Sequence, residues 1–270
     1  MPELPEVETI ARGLDAQVRG RRILSVHVLT PAIVRSGDLS TLVGGCIARV
    51  SRRAKLLMAG IDDGRVLIFH LKMTGRVWLA SPARTLPKHA HLVLELEDRD
   101  RVVFEDPRRF GYCAVFSPSE LDGWNFYSGL GPEPLQSTPE ELQARIRDSK
   151  AGIKSRLLNQ TVIAGVGNIY ADESLFAARI HPASRTDAIP PARLGLLCRE
   201  LQRIMLDAID AGGSTISDYR NAYGQNGIFQ ERFEVYGKKG QPCPVCSRPL
   251  LARQIAGRTS THCPACQVRY

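Results

Sequence analysis

Cys243-Pro244-Val245-Cys246 and Cys263-Pro264-Ala265-Cys266 are separated by 16 residues. Each pair offers two sulfurs from one tight turn, and the residues between suffice for two short strands and a tip, the pattern of a four-thiolate zinc ribbon or finger. Four thiolates leave no coordination position for water, so the expected ion is one structural Zn²⁺ on Cys243, Cys246, Cys263 and Cys266. An iron site or two disulfides are the alternatives this spacing leaves open. From Tyr236 to Tyr270 there are six basic residues and no Asp or Glu. With four thiolates and a divalent ion the segment keeps a charge of about +4, which suits phosphate contacts; a solvated hairpin that only stabilises the C-terminal region is the plainer reading.

The remaining three of the seven cysteines, Cys46, Cys113 and Cys198, are scattered, a poor match to a disulfide framework. Upstream, the 270 residues are 43% hydrophobic and 24% charged, which excludes disordered, collagen-like and coiled-coil classes. Lys plus Arg exceed Asp plus Glu by 36 to 28, consistent with a polyanionic partner. Apolar runs such as Val66 to Phe69 fall far short of the ~20 residues of a membrane-spanning helix. The opening Met1-Pro2-Glu3-Leu4-Pro5-Glu6 has no basic region followed by an apolar run, so a cytoplasmic location is expected.

A helix is predicted from about Pro5 to Val18, ending near Gly20. Seven β-rich runs follow: Ile23 to Leu29, Cys46 to Val50, Lys55 to Ile61, Arg65 to Leu71, His91 to Leu96, Arg101 to Glu105 and Tyr112 to Phe116. They read as a sandwich or barrel. Gly and Pro between Ser117 and Pro139 mark a connection. Helical patterns then occupy about Pro139 to Ser149, Ile153 to Leu158, Asn168 to Ala178 and Pro190 to Ala211, before a Gly-rich loop around Tyr223 to Gly227.

Five further stretches stand in fixed order: Pro2-Glu3-Leu4-Pro5-Glu6, Arg53-Ala54-Lys55, His70-Leu71-Lys72-Met73-Thr74-Gly75, Asp106-Pro107-Arg108-Arg109-Phe110-Gly111 and Gly165-Val166-Gly167-Asn168-Ile169-Tyr170-Ala171. With the terminal cysteines they resemble the formamidopyrimidine-DNA glycosylases from end to end. The resemblance implies an α+β protein with three parts: an N-terminal β-sandwich domain with a leading helix at 1–130, a helical helix-two-turns-helix DNA-binding domain at 131–235, and a β-hairpin zinc finger at 236–270.

It also implies roles. Pro2, once Met1 is removed, is the family's nucleophile, because a terminal proline nitrogen is a secondary amine whereas an internal one is an amide. Glu3 matches the general acid/base, and Glu6 a supporting position that a solvated first-turn acid explains equally well. Lys55 matches the lysine assigned to proton donation in β-elimination; by itself it reads as a snorkelling lysine at a strand end. Arg258 matches the arginine linked to δ-elimination, and its guanidinium suits phosphate positioning. Met73, Arg108 and Phe110 match the trio that fills the space left by an extruded nucleotide, with Arg108 and Phe110 at an exposed hairpin tip. Asn168 after two glycines suits phosphate binding, and His89 and Lys150 align with positions that touch DNA.

The activity implied is a bifunctional glycosylase and abasic-site lyase that excises formamidopyrimidines and 8-oxoguanine from double-stranded DNA, with no nucleotide cofactor, as a monomer. The pyrimidine-directed relative endonuclease VIII is the nearer rival; Leu4, Met73 and Arg108 favour the purine branch. A noncatalytic zinc-finger DNA-binding protein is the other. Two departures bear on damaged-base selection: Lys72, where the family often has Gly, and Ala222-Tyr223-Gly224-Gln225-Asn226-Gly227-Ile228-Phe229, whose lesion-capping loop lacks the usual basic residue.

Overall fold

The computed structural model describes residues 1–147, 149–216 and 219–270. Helix α1 (Leu4–Val18) opens on a capping box, in which the Glu3 carboxylate accepts from the Glu6 N–H and the Glu6 carboxylate accepts from the Glu3 N–H. Val7, Ile10, Ala11, Leu14 and Val18 recur at helical spacing and are all buried. Strands β1 (Ile23–Val28), β2 (Val34–Ser36), β3 (Ile47–Arg53), β4 (Leu56–Ile61), β5 (Val66–His70), β6 (Arg76–Ala80), β7 (Ala90–Leu96), β8 (Arg101–Glu105) and β9 (Tyr112–Phe116) follow. They form two sheets, ordered β1-β7-β8-β6 and β2-β9-β5-β4-β3. One continuous core joins both to α1, with Leu57, Phe69 and Val115 from one sheet and Val77, Leu94 and Phe104 from the other. This is the expected sandwich.

Short helices α2 (Pro118–Gly123) and α3 (Asn125–Ser128) occupy the stretch read as a bare connection. Ser117 and Glu120 make a capping box there and Pro118 takes the first helical position, which together suffice to nucleate a turn and a half. Helices α4 (Pro139–Arg147), α5 (Ile153–Leu158), α6 (Asn168–Ala177) and α7 (Pro191–Asp210) match the predicted helical patterns, except that Asp148, inside the first of them, lies outside the described residues. Between α5 and α6 the chain makes two turns, held by the Asn159 side chain on Thr161 and by Gln160, which accepts from the Gly165 N–H and donates to the Val166 carbonyl. Strands β10 (Leu251–Ile255) and β11 (Arg258–His262) pair as a hairpin.

The chain divides into two compact units, residues 1–128 with 211–228, and 129–210 with 229–270. The segment 211–228, grouped with the helical half on sequence, packs in the first unit. Its Ser214 N–H donates to Glu6 Oε1 at 2.9 Å, and Ala222, buried in the sandwich core, lies against Gly13 of α1.

Candidate active site and nucleic-acid interface

In the first unit, Pro2 and Glu3 are buried at the start of α1. Glu6 lies one turn further and is 1% exposed, so it is no solvated acid. Its two oxygens divide their work: Oε2 accepts from the Glu3 N–H at 2.9 Å, and Oε1 takes the Ser214 N–H. Glu6 thereby ties the chain start to the segment that carries the Tyr223 to Gly227 loop. Tyr219 adds a hydroxyl bond to the Gly212 carbonyl at 3.1 Å; burial, then the Glu6 charge, pushes its phenol upward.

Lys55 occupies the two-residue turn between β3 and β4 and is 8% exposed, so it does not snorkel to solvent. The turn is anchored to α1 by Arg52, whose Nε donates to Glu8 Oε2 at 2.9 Å. Burial raises the Glu8 carboxyl, but the bonds from Arg12 and Arg52 outweigh it and hold the group below its ordinary value. Beside Lys55, His70 is pushed down to about 3, first by burial and then by the Lys72 and Lys55 charges. Neutral His70 accepts the Lys72 N–H on Nδ1 at 3.1 Å. Lys72 itself has φ +51°, in the left-handed region that glycine enters without strain.

Met73 and Phe110 are 42% and 52% exposed, and the Arg108 guanidinium sits 4.8 Å from the centre of the Phe110 ring. The Arg108 and Phe110 turn is not a hairpin tip as expected. Strand β8 pairs with β7 and β6, whereas β9 pairs with β5 and β2, so residues 106–111 cross from one sheet to the other. Met73 likewise lies in the crossing from β5 to β6. His89, half-buried, directly precedes β7. Away from the chain start, a cavity of about 320 Å³ opens between β6 and the loop, lined by Gln17, Arg76, Trp78, Glu105, Arg220 and Tyr223 among others.

In the second unit, Asn168 begins α6 and its Nδ2 donates to the Thr259 carbonyl at 3.0 Å, so it meets the hairpin beside Arg258. Arg258 is exposed and follows a two-residue turn, Ala256 and Gly257, in which both φ angles are positive, as a type I′ hairpin requires. Lys150 is exposed between α4 and α5. The sulfurs of Cys243, Cys246, Cys263 and Cys266 all lie within 4.8 Å of one another. Tetrahedral coordination at about 2.3 Å needs sulfurs about 3.8 Å apart, and pairs here at 3.5 and 3.9 Å fit it. The cluster therefore has the donor set and span of a metal-held finger.

The family description formamidopyrimidine-DNA glycosylase N-terminal domain matches residues 1–113, and formamidopyrimidine-DNA glycosylase H2TH domain matches residues 130–220. Formamidopyrimidine-DNA glycosylase from Pelotomaculum thermopropionicum is 38% identical over 99% of both chains. Its counterpart from Streptococcus pyogenes is 40% identical over 99% of this chain and 98% of its own. The chain belongs to the formamidopyrimidine-DNA glycosylase family. Among solved structures, the Lactococcus lactis Fpg bound to abasic-site DNA superposes with a TM-score of 0.91 at 35% identity, covering 99% of this chain and all of that one. The same enzyme with Fapy-dG DNA gives 0.90 at 35%, covering 98% and 99%.

Three features of this formamidopyrimidine-DNA glycosylase family member were not found on sequence: the burial of Glu6, the buried Asp106 and the Lys154–Asp172 pair. The Ser/Thr-x-x-Glu type of signal marks capping boxes, but nothing in a one-dimensional pattern marks a carboxylate that bonds a segment two hundred residues away. Among the described residues no helix is long and apolar enough to cross a membrane.

Proposed function

We propose that the protein is a bifunctional DNA glycosylase and abasic-site lyase acting on oxidised purines, formamidopyrimidines and 8-oxoguanine, in double-stranded DNA. The observation that carries this reading is the start of α1, where Pro2 and Glu3 stand together in a buried, capped turn joined to Glu6. With Met1 removed, the Pro2 nitrogen has a reference pKa near ~8, and its unprotonated form attacks the anomeric carbon of the damaged nucleotide. The bond to the base breaks and the base leaves with the proton shed by the attacking nitrogen; Glu3 then protonates O4′ as the C1′–O4′ bond opens, and an iminium forms between proline and C1′. The iminium acidifies the C2′ proton, so β-elimination expels the 3′ phosphate and δ-elimination the 5′ phosphate. Lys55 is the proton donor of the first elimination, and Arg258 holds the phosphate during the second.

Met73, Arg108 and Phe110 fill the vacated stack while His89, Lys150 and Asn168 hold the backbone. The four cysteines hold one Zn²⁺, which organises the hairpin that presents Arg258 and takes no part in bond breaking. Borohydride reduction with the processed, zinc-loaded chain tests the reading. The expected result is a covalent adduct on duplexes containing 8-oxoguanine, lost when Met1 is retained. A clear preference for thymine glycol reassigns the chain to pyrimidine lesions, and tight binding with no adduct makes it a DNA-binding protein without catalysis.

A further inference from the structure

Asp106, directly after β8, is 0% exposed. A carboxylate buried this completely needs donors on its lone pairs. Its Oδ1 accepts from the Thr74 hydroxyl and, at 3.2 Å, from the Arg108 N–H; Oδ2 accepts from the Gly111 N–H at 2.7 Å. The main chain of the same residue is equally engaged. Its N–H donates to the His89 carbonyl at 3.0 Å, and its carbonyl accepts from the Arg109 N–H at 3.1 Å and from His91 Nε2 at 2.8 Å.

The crossings from β5 to β6 and from β8 to β9 therefore converge on one side chain. Thr74 and Gly111 turn inward to Asp106, while their neighbours Met73 and Phe110 project outward. Glycines close off sideways relaxation: a Cβ on Gly75 would lie 2.5 Å from the Leu71 carbonyl oxygen, and one on Gly111 would lie 2.9 Å from the Phe104 ring. Two independent loops would each lose conformational freedom on entering a base stack, whereas two loops fixed to a common anchor lose it during folding.

We propose that Asp106, acting through Thr74 and the turn at Gly111, is the positioning residue that holds Met73, Arg108 and Phe110 as one rigid set, so that they enter the vacated stack together. The inference rests on the lesion-excision reading above. It assigns Asp106 to base extrusion and not to strand cleavage, because an abasic site in single-stranded DNA leaves no stack to fill.

The test is the ratio of single-turnover rates on duplex 8-oxoguanine and on a single-stranded abasic site. Thr74→Val removes the hydroxyl at nearly constant shape and is expected to lower the ratio roughly tenfold. Asp106→Asn is expected to do likewise, and carries the test should Thr74→Val not fold. Thr74→Ser, which restores the hydroxyl, is expected to return the ratio to that of the parent. A 2-aminopurine beside the lesion should report slower stack disruption in both defective variants. Equal losses on both substrates, or an unchanged ratio, overturn the inference while the parent remains active. A parent inactive on both substrates overturns the functional reading and this inference with it.

Discussion

Lys154 of α5 donates to Asp172 of α6 at 2.6 Å, with the two side chains 0% and 1% exposed. Asp172 also accepts from the Ser260 hydroxyl at 2.7 Å and the Thr261 N–H at 3.1 Å, so the pair fixes the strand that begins at Arg258. Glu173, next in sequence, takes the N–H groups of Glu234, Val235 and Tyr236 at 2.7–3.0 Å. Removing one member of such a pair leaves a buried charge uncompensated. Lys154→Met should cost about 3–5 kcal/mol in urea unfolding, and the double variant Lys154→Met, Asp172→Asn, which removes the charge but keeps an acceptor for the buried donors of the strand, should recover part of it. A double variant as unstable as the single one would show that the loss is not electrostatic.

His70 makes stability depend on pH. Its value in the folded chain, about 3, lies below the ordinary 6.5, so on acidification the unfolded chain takes up the proton first. Stability is complete above about pH 6.5 and falls as pH drops toward 3, by up to about 1.4 kcal/mol per unit. Urea midpoints at pH 7.5 and 4.5 should differ less in His70→Gln, which keeps an acceptor for the Lys72 N–H but does not titrate.

Gly13 inverts the usual rule for helix interiors. Replacing glycine by alanine there ordinarily gains up to about 1 kcal/mol, but a Cβ at this position would lie 2.8 Å from the Ala222 Cβ and 3.2 Å from the Tyr223 ring. Overpacking of this kind costs about 1–3 kcal/mol. Gly13→Ala should therefore lower stability and speed amide hydrogen exchange in 219–228; a raised melting temperature with unaltered exchange would show that the loop yields without cost.

Cys263→Ser should abolish binding of one equivalent of zinc, read by atomic absorption, and weaken lesion-DNA affinity, while the near-ultraviolet signal of the sandwich residue Trp78 persists. Retained metal with full affinity would count against the finger. In the parent chain, log affinity should fall linearly with log salt, with a slope of about −0.9 per phosphate neutralised.

Strands in the middle of the sheets were legible. Arg101–Glu105 and Tyr112–Phe116 match their predicted bounds, since pairing on both sides and burial on at least one face impose a dense β-branched and aromatic pattern. The two strands missed, Val34–Ser36 and Arg76–Ala80, are both at sheet edges, paired on one side only and short. At the candidate site, stretches of unusual composition, the outward-pointing Arg108 and Phe110 or the cysteine pairs that converge on one another, could be read from the chain. Those that hold them could not: Asp106, Asp172 and Glu6 look like ordinary acids until the fold buries them against partners at separations from 2 to 208 residues.

Segment 211–228 leaves and rejoins the rest of the chain at nearly one point, because the Ile228 N–H donates to the Ala211 carbonyl at 3.1 Å and Ser214 bridges to Ile228. It is thus a cassette with a closed base and an exposed tip, Tyr223 to Asn226. Transplanting a relative's basic tip onto this base is the direct way to ask how much lesion choice resides in those few residues alone.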